Sequence, residues 1–179
     1  CLAHFTLEIN ALYQWLFLAD IPLALIAFYH SYIWKLTRSF VDRLLAVLHI
    51  ALLWLGIGMT LFSVQSLYVL INGELILGKA RLHAITIGFI SSMLIAMASR
   101  VSLGHSGRPL ILDNITWYLF LGISLTACLR ISADIQALNT VYGFSINIIT
   151  VVCWLTCMSL WVLRFAPFYL KTRLDGKQG

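Results

Sequence analysis

The chain has 179 residues, 61% hydrophobic and 11% charged, with a mean hydropathy of +0.92 and a formal net charge of +5. Soluble domains carry about a quarter charged residues, so this composition excludes an ordinary water-soluble globule and makes lipid the solvent for most of the surface. The excess of Lys and Arg gathers at the ends of apolar stretches, which marks orientation in a membrane and not nucleic-acid binding.

A membrane span needs about 20 mostly apolar residues, and five stretches qualify: 11–34, 44–71, 80–103, 115–133 and 143–165. Turn chemistry separates them at Asn72-Gly73-Glu74, Gly107-Arg108-Pro109 and Asp134 to Asn139. The expected fold is an all-α integral membrane protein, with five transmembrane helices in one compact bundle of antiparallel neighbours and a basic tail over 166–179. Lys35, Arg38, Arg43, Arg100, Arg108, Arg164, Lys171, Arg173 and Lys177 fall at one set of ends, against Lys79, Arg81 and Arg130 at the other. The positive-inside rule puts the first set, the basic end, in the cytoplasm together with the C-terminus. The chain starts at Cys1 without Met or signal peptide, so Cys1 is expected to lie inside a longer polypeptide, with a lipidated N-terminal cysteine as the alternative. The other three of the four cysteines fall inside predicted spans, so no disulfide framework is implied.

In the first predicted span Asp20 stands two residues before Pro22. An intramembrane carboxylate marks a proton path or a buried partner, whereas beside proline it can satisfy broken backbone; the structural reading is preferred. His30 lies near the basic end of this span. The second carries His49, Gly56 and Ser63 at heptad spacing with Thr60 and Ser66 near the same face, a protein-facing stripe. His30, His49 and His105 are expected at one membrane level.

The third span repeats small residues every four positions, Ala84, Gly88, Ser92 and Ala96, and ends the series at Arg100. Small residues let helix backbones approach in lipid. Arg100 is expected to face protein and an anion, or else to snorkel to the interface. His83 and His105 flank the span; at about 1.5 Å per residue they are about 33 Å apart and cannot share one metal. Gly104-His105-Ser106-Gly107-Arg108 supplies backbone N–H groups, a hydroxyl, an imidazole and a guanidinium, the makings of an anion nest or simply of a basic turn. In the fourth span Arg130 and Asp134 are spaced to pair as a structural ion pair. The fifth aligns Thr150, Cys153, Cys157, Trp161 and Arg164; the two thiols suit Cu(I), though buried cysteine more often serves as a small hydrophobe. No nucleophile–base pair or phosphate-binding loop is present, which disfavours a hydrolase or kinase.

The segment from Leu48-His49-Ile50 to the basic C-terminal end resembles the NnrS family, most closely over 83–110, where His83, Gly88, Arg100-Val101-Ser102-Leu103-Gly104-His105 and Gly107-Arg108-Pro109 stand in the family's order. The resemblance implies a bacterial inner-membrane protein of about a dozen spans that binds haem and copper and acts in nitric oxide metabolism or nitrosative-stress resistance. The present chain would be its C-terminal part, with the rest of the polypeptide and membrane lipid as partners. By the same resemblance His49, His83 and His105 are metal-ligand candidates. Arg100 and Arg108, with Gly104 and Gly107, are candidates for holding cofactor carboxylates. Two other readings stand beside it: a transporter with Asp20 and Pro22 near the substrate path, and a structural membrane subunit without cofactor. Whether the protein is an enzyme is left open.

Overall fold

The computed structural model describes residues 2–170 and Leu174, with the side chains of 136–143 excepted. In chain order the elements are α1 (Leu2–Ile9), a 3-10 turn (Tyr13–Trp15), α2 (Phe17–Ile33), the single turn α3 (Leu36–Ser39), α4 (Arg43–Asn72), α5 (Ala80–His83), a π-helical stretch (Ala84–Ser91), α6 (Ser92–His105), α7 (Asn114–Asp134) and α8 (Gln136–Leu170). The α5, π and α6 segments join into one rod, Ala80–His105. The protein is all-helical among the described residues.

Four helices are long and apolar enough to cross a bilayer: Arg43–Asn72, Ala80–His105, Asn114–Asp134 and Phe144–Leu170 within α8. The first expected span differs. In place of one stretch over 11–34, the chain leaves α1 through Ala11 at φ +54°. Leu12 N–H then bonds the Leu7 carbonyl at 2.9 Å, and Ala11 N–H bonds the Glu8 carbonyl at 3.1 Å. That is the Schellman pattern of a helix C-cap, built on alanine, so no glycine announces it. The remaining helix α2 has 17 residues and reaches about 26 Å, short of a hydrocarbon core of about 30 Å.

Two further boundaries depart from expectation. The turn expected from Asp134 to Asn139 shrinks to Ile135, extended at ψ 121°, before α8 begins at Gln136. At the other end α8 continues through Pro167 to Leu170, so the tail expected from 166 begins later. Cys1, Lys171, Arg173 and Lys177 lie outside the described residues.

The helix ends use ordinary cap chemistry. Asp42 accepts from Leu44 N–H at 2.9 Å to open α4, and Asp113 opens α7 by accepting from Thr116. Gly73, at φ +74°, closes α4.

Small residues set the spacing between helices. A Cβ at Gly88 would fall 2.6 Å from the Trp54 ring, and one at Gly56 would fall 2.7 Å from Phe28. These contacts seat the rod on α4 and α4 on α2. Ala84, Gly88, Ser92 and Ala96 are all buried, as the stripe requires, but Arg100 is exposed. The reason is helical phase: an α-helix turns in 3.6 residues, so each four-residue step overshoots by about 40°. The wider π turn absorbs that drift up to Ser92. Beyond it the buried face follows Ile95, Ala96, Ser99, Ser102 and Leu103, and position 100 swings outward. On α4, His49, Gly56, Ser63 and Ser66 are buried together with Gln65; Thr60 is exposed, its hydroxyl donated to the Gly56 carbonyl at 2.8 Å.

Candidate functional site

Ionisable and metal-competent side chains gather at both ends of the bundle. At the basic end, His49 on α4 is 6% exposed, and its Nδ1 is buried without a hydrogen-bond partner. Its ring centroid lies 6.1 Å from that of Trp34, and Trp34 lies 5.1 Å from His30. Beside this file opens a groove of about 610 Å³ lined by Phe28, Ser31, Tyr32, Lys35, Arg38 and Leu53 among others. Ser31 follows His30 on α2, and Leu53 is one turn along α4 from His49, so the two helices that carry the imidazoles also line the groove, while neither imidazole is among its lining residues.

The structure does not bring His105 into this group. It is exposed and makes no hydrogen bond among the described residues. Gly107 stands at φ +70°, with its N–H on the Gly104 carbonyl at 3.2 Å, while Arg108 N–H bonds the Leu103 carbonyl at 3.0 Å. This is again a Schellman cap. The two amides are spent on the helix end, so the turn is a stop signal rather than an anion nest. Gly104 is exposed, and a Cβ there would meet only Leu110 at an ordinary 3.8 Å. The Arg108 guanidinium lies 3.8 Å from the centre of the Phe168 ring, a cation–π contact. Arg108 also borders a small cavity of about 220 Å³ with Asp113, Arg164 and Phe168.

Arg164 donates to Asp113 at 2.5 Å and thereby ties α8 to the start of α7. Burial alone would raise the Asp113 pKa; hydrogen bonds from Thr116 and the charge of Arg164 outweigh it and hold the carboxyl below its usual 3.8.

The opposite end carries two imidazole–carboxylate pairs. His83 Nδ1 lies 2.6 Å from Asp134 Oδ2, and Arg130 donates to the other Asp134 oxygen at 2.9 Å and to Asn147 at 2.8 Å. The expected Arg130–Asp134 pair therefore forms, but as part of a network that orients His83. Such a network leaves Nε2 as the donor atom, the usual arrangement behind a metal-binding histidine.

The second pair joins His4 Nδ1 to Asp20 Oδ1 at 2.5 Å, with His4 Nε2 3.3 Å from Glu8. Asp20 is fully buried, with Oδ1 on His4 and Oδ2 without a hydrogen-bond partner, so neither oxygen satisfies the backbone freed by Pro22. His4 lies before the first predicted span and was not among the expected site residues; the His-x-x-x-Glu spacing of His4 and Glu8 is the signal that marks it. Arg81, between the two pairs, lies 5.0 Å from the centre of Phe62, whose ring meets His4 edge-on at 4.9 Å.

Cys153 and Cys157 serve packing. Cys157 is buried against Gly122, where a Cβ would come within 2.5 Å of its sulfur. Thr126 Oγ1 approaches Cys153 Sγ at 3.2 Å. Thr150 is buried, and Trp161 donates to Ser99 at 2.9 Å, so the aligned face of α8 does point into the bundle. Among the described residues no group of three or more His, Cys, Asp or Glu side chains is arranged to hold a metal ion.

No curated protein and no solved structure matches the chain. The family model described as NnrS protein matches residues 1–173. With that match over nearly the whole sequence, and with apolar helices of membrane-spanning length, the chain belongs to the NnrS family of membrane proteins.

Proposed function

We propose that this chain contributes to a haem- and copper-binding protein of the bacterial inner membrane acting in nitric oxide metabolism or nitrosative-stress resistance, with its C-terminus in the cytoplasm. Membership of the NnrS family points to the nitric oxide response. The observation that carries the cofactor reading is His49: a buried imidazole with an unpartnered ring nitrogen is costly unless something binds it. The adjoining groove has the apolar lining and cationic rim that suit a tetrapyrrole. Lys35 and Arg38 stand at its edge, where propionates seek positive charge. His83, oriented by Asp134 at the other end, belongs to a separate metal site that suits copper. His105, Arg100 and Arg108, with Gly104 and Gly107 shaping the turn, serve the basic end.

The test is an absorption spectrum and metal analysis of the purified full-length protein. A Soret band that is lost or shifted in His49→Ala, while the variant still inserts, supports the reading. Wild-type protein without haem or copper after expression with both supplied overturns it. Orientation is tested by thiol labelling at Gly176→Cys in a cysteine-free background: only membrane-permeant reagents should reach it.

A further inference from the structure

The α1–α2 end of the bundle holds an ionisable chain that the cofactor reading does not use. Three side chains stand in series with falling exposure: Glu8 is 35% exposed at its side chain, His4 15% and Asp20 0%. Glu8 and His4 are one turn apart on α1. Asp20 comes from α2. Phe62 on α4 walls His4 with an aromatic edge, and Arg81 at the start of the rod stacks on that same ring. The inner oxygen of Asp20, Oδ2, is buried with no hydrogen-bond partner.

We propose that Glu8, His4 and Asp20 form a proton relay that carries protons from the surface of the bundle to a buried acceptor at Asp20. The order of burial gives the direction, and the two nitrogens of His4 give the mechanism, since one ring nitrogen accepts while the other donates. In the loading state Glu8 has taken a proton from water and donates its O–H to His4 Nε2. His4 Nδ1–H meanwhile donates to the Asp20 carboxylate. The Glu8 proton moves to Nε2 as the Nδ1 proton moves to Oδ1. Afterwards Nε2–H donates to the Glu8 carboxylate, and the Asp20 O–H donates to Nδ1. One O–H bond breaks at Glu8 and one forms at Asp20; one N–H bond forms and one breaks on the ring, with no change in total charge. Both states keep the His4–Asp20 hydrogen bond, with the Glu8 carboxyl 3.3 Å from Nε2 to exchange the proton. The unpartnered Oδ2 leaves Asp20 an open side for the next acceptor.

The relay is tested by time-resolved infrared spectroscopy of the full-length protein in lipid bilayers after a jump from neutral to acidic pH. A carboxyl C=O band absent in Asp20→Asn identifies the protonated Asp20. A positioned proton carrier speeds transfer by about 10²–10⁴-fold, so His4→Gln should slow the rise of that band by about a hundredfold. Glu8→Gln leaves the His4–Asp20 pair intact and should slow it too, which keeps the test decisive if His4→Gln fails to fold. A band rising at the wild-type rate in Glu8→Gln, or no Asp20 band in the wild type, overturns the relay. The readout is independent of haem and copper, so its failure is separate from failure of the proposed function.

Discussion

The imidazole of His83, near the start of the rod, is held by the carboxylate of Asp134, the last residue of α7, 51 positions away and 2.6 Å distant. Arg130 and Asn147 complete the grip, so three helices fix one ring. Groups that orient a metal-ligating histidine typically contribute 10–100-fold in affinity, about 1.4–2.7 kcal/mol. Asp134→Asn should therefore weaken copper binding of the full-length protein by about 10–100-fold while leaving the haem spectrum intact. Equal copper affinity in wild type and variant, measured by competition with a chelator, removes His83 from the metal ligands.

A second expectation follows from the contact between Gly88 and Trp54. A leucine at Gly88 starts with a Cβ only 2.6 Å from the indole carbons, so the rod must back away from α4. Overpacking of this kind costs about 1–3 kcal/mol. Gly88→Leu should lower the thermal midpoint and the yield of inserted protein. Gly73→Asn, at an open αL cap where nothing lies within 4 Å, should change both far less, because asparagine tolerates that conformation. Equal behaviour of the two variants means that the small-residue stripe does not seat the rod.

Asp113 gives a pH dependence at the basic end. Its folded pKa lies below the ordinary 3.8. A depressed carboxyl contributes stability above its unfolded pKa and loses it as pH falls through the folded value. Stability from this group is thus constant near neutral pH and fades below about pH 4. Asp113→Asn should cost about 1 kcal/mol at neutral pH through the weakened cap and through the loss of the Arg164 ion pair, and the cost should shrink in acid. Thermal melts of the two proteins from pH 7 to pH 3 test this; a gap that widens in acid contradicts it.

The bundle was legible in the sequence because lipid imposes long apolar runs, and the small-residue stripe because close approach demands side chains without bulk. Arg100 misled because a series of four-residue steps looks continuous on paper, while the π turn corrects its phase only as far as Ser92. The cap at Ala11 was invisible for a different reason: it places alanine at φ +54°, where sequence rules look for glycine. That break hid α1, and with it His4 and the true partner of Asp20. The Gly-His-Ser-Gly-Arg turn reads equally as nest or cap until the destinations of its amides are known. His30, His49 and His105 were expected at one depth, but only packing shows that Trp34 lies between His30 and His49 and that His105 is exposed.

The last prediction sets His49 against His105, the two imidazoles expected at one membrane depth. His49 is buried with an unpartnered Nδ1 beside a groove rimmed by Lys35 and Arg38, whereas His105 is exposed beside a helix cap. Burial keeps bulk water from the His49 ring, so a ligand bound there would meet no solvent competitor. His49→Ala should abolish or shift the Soret band of the full-length protein, and His105→Ala should change it much less. Lys35→Gln with Arg38→Gln should loosen haem without altering axial ligation, since a cation holds the carboxylates and not the iron. That double variant should release haem to apomyoglobin faster while keeping the wild-type band position. A band that survives in His49→Ala and vanishes in His105→Ala would reverse the assignment and move the haem from the groove to the α6–α7 turn.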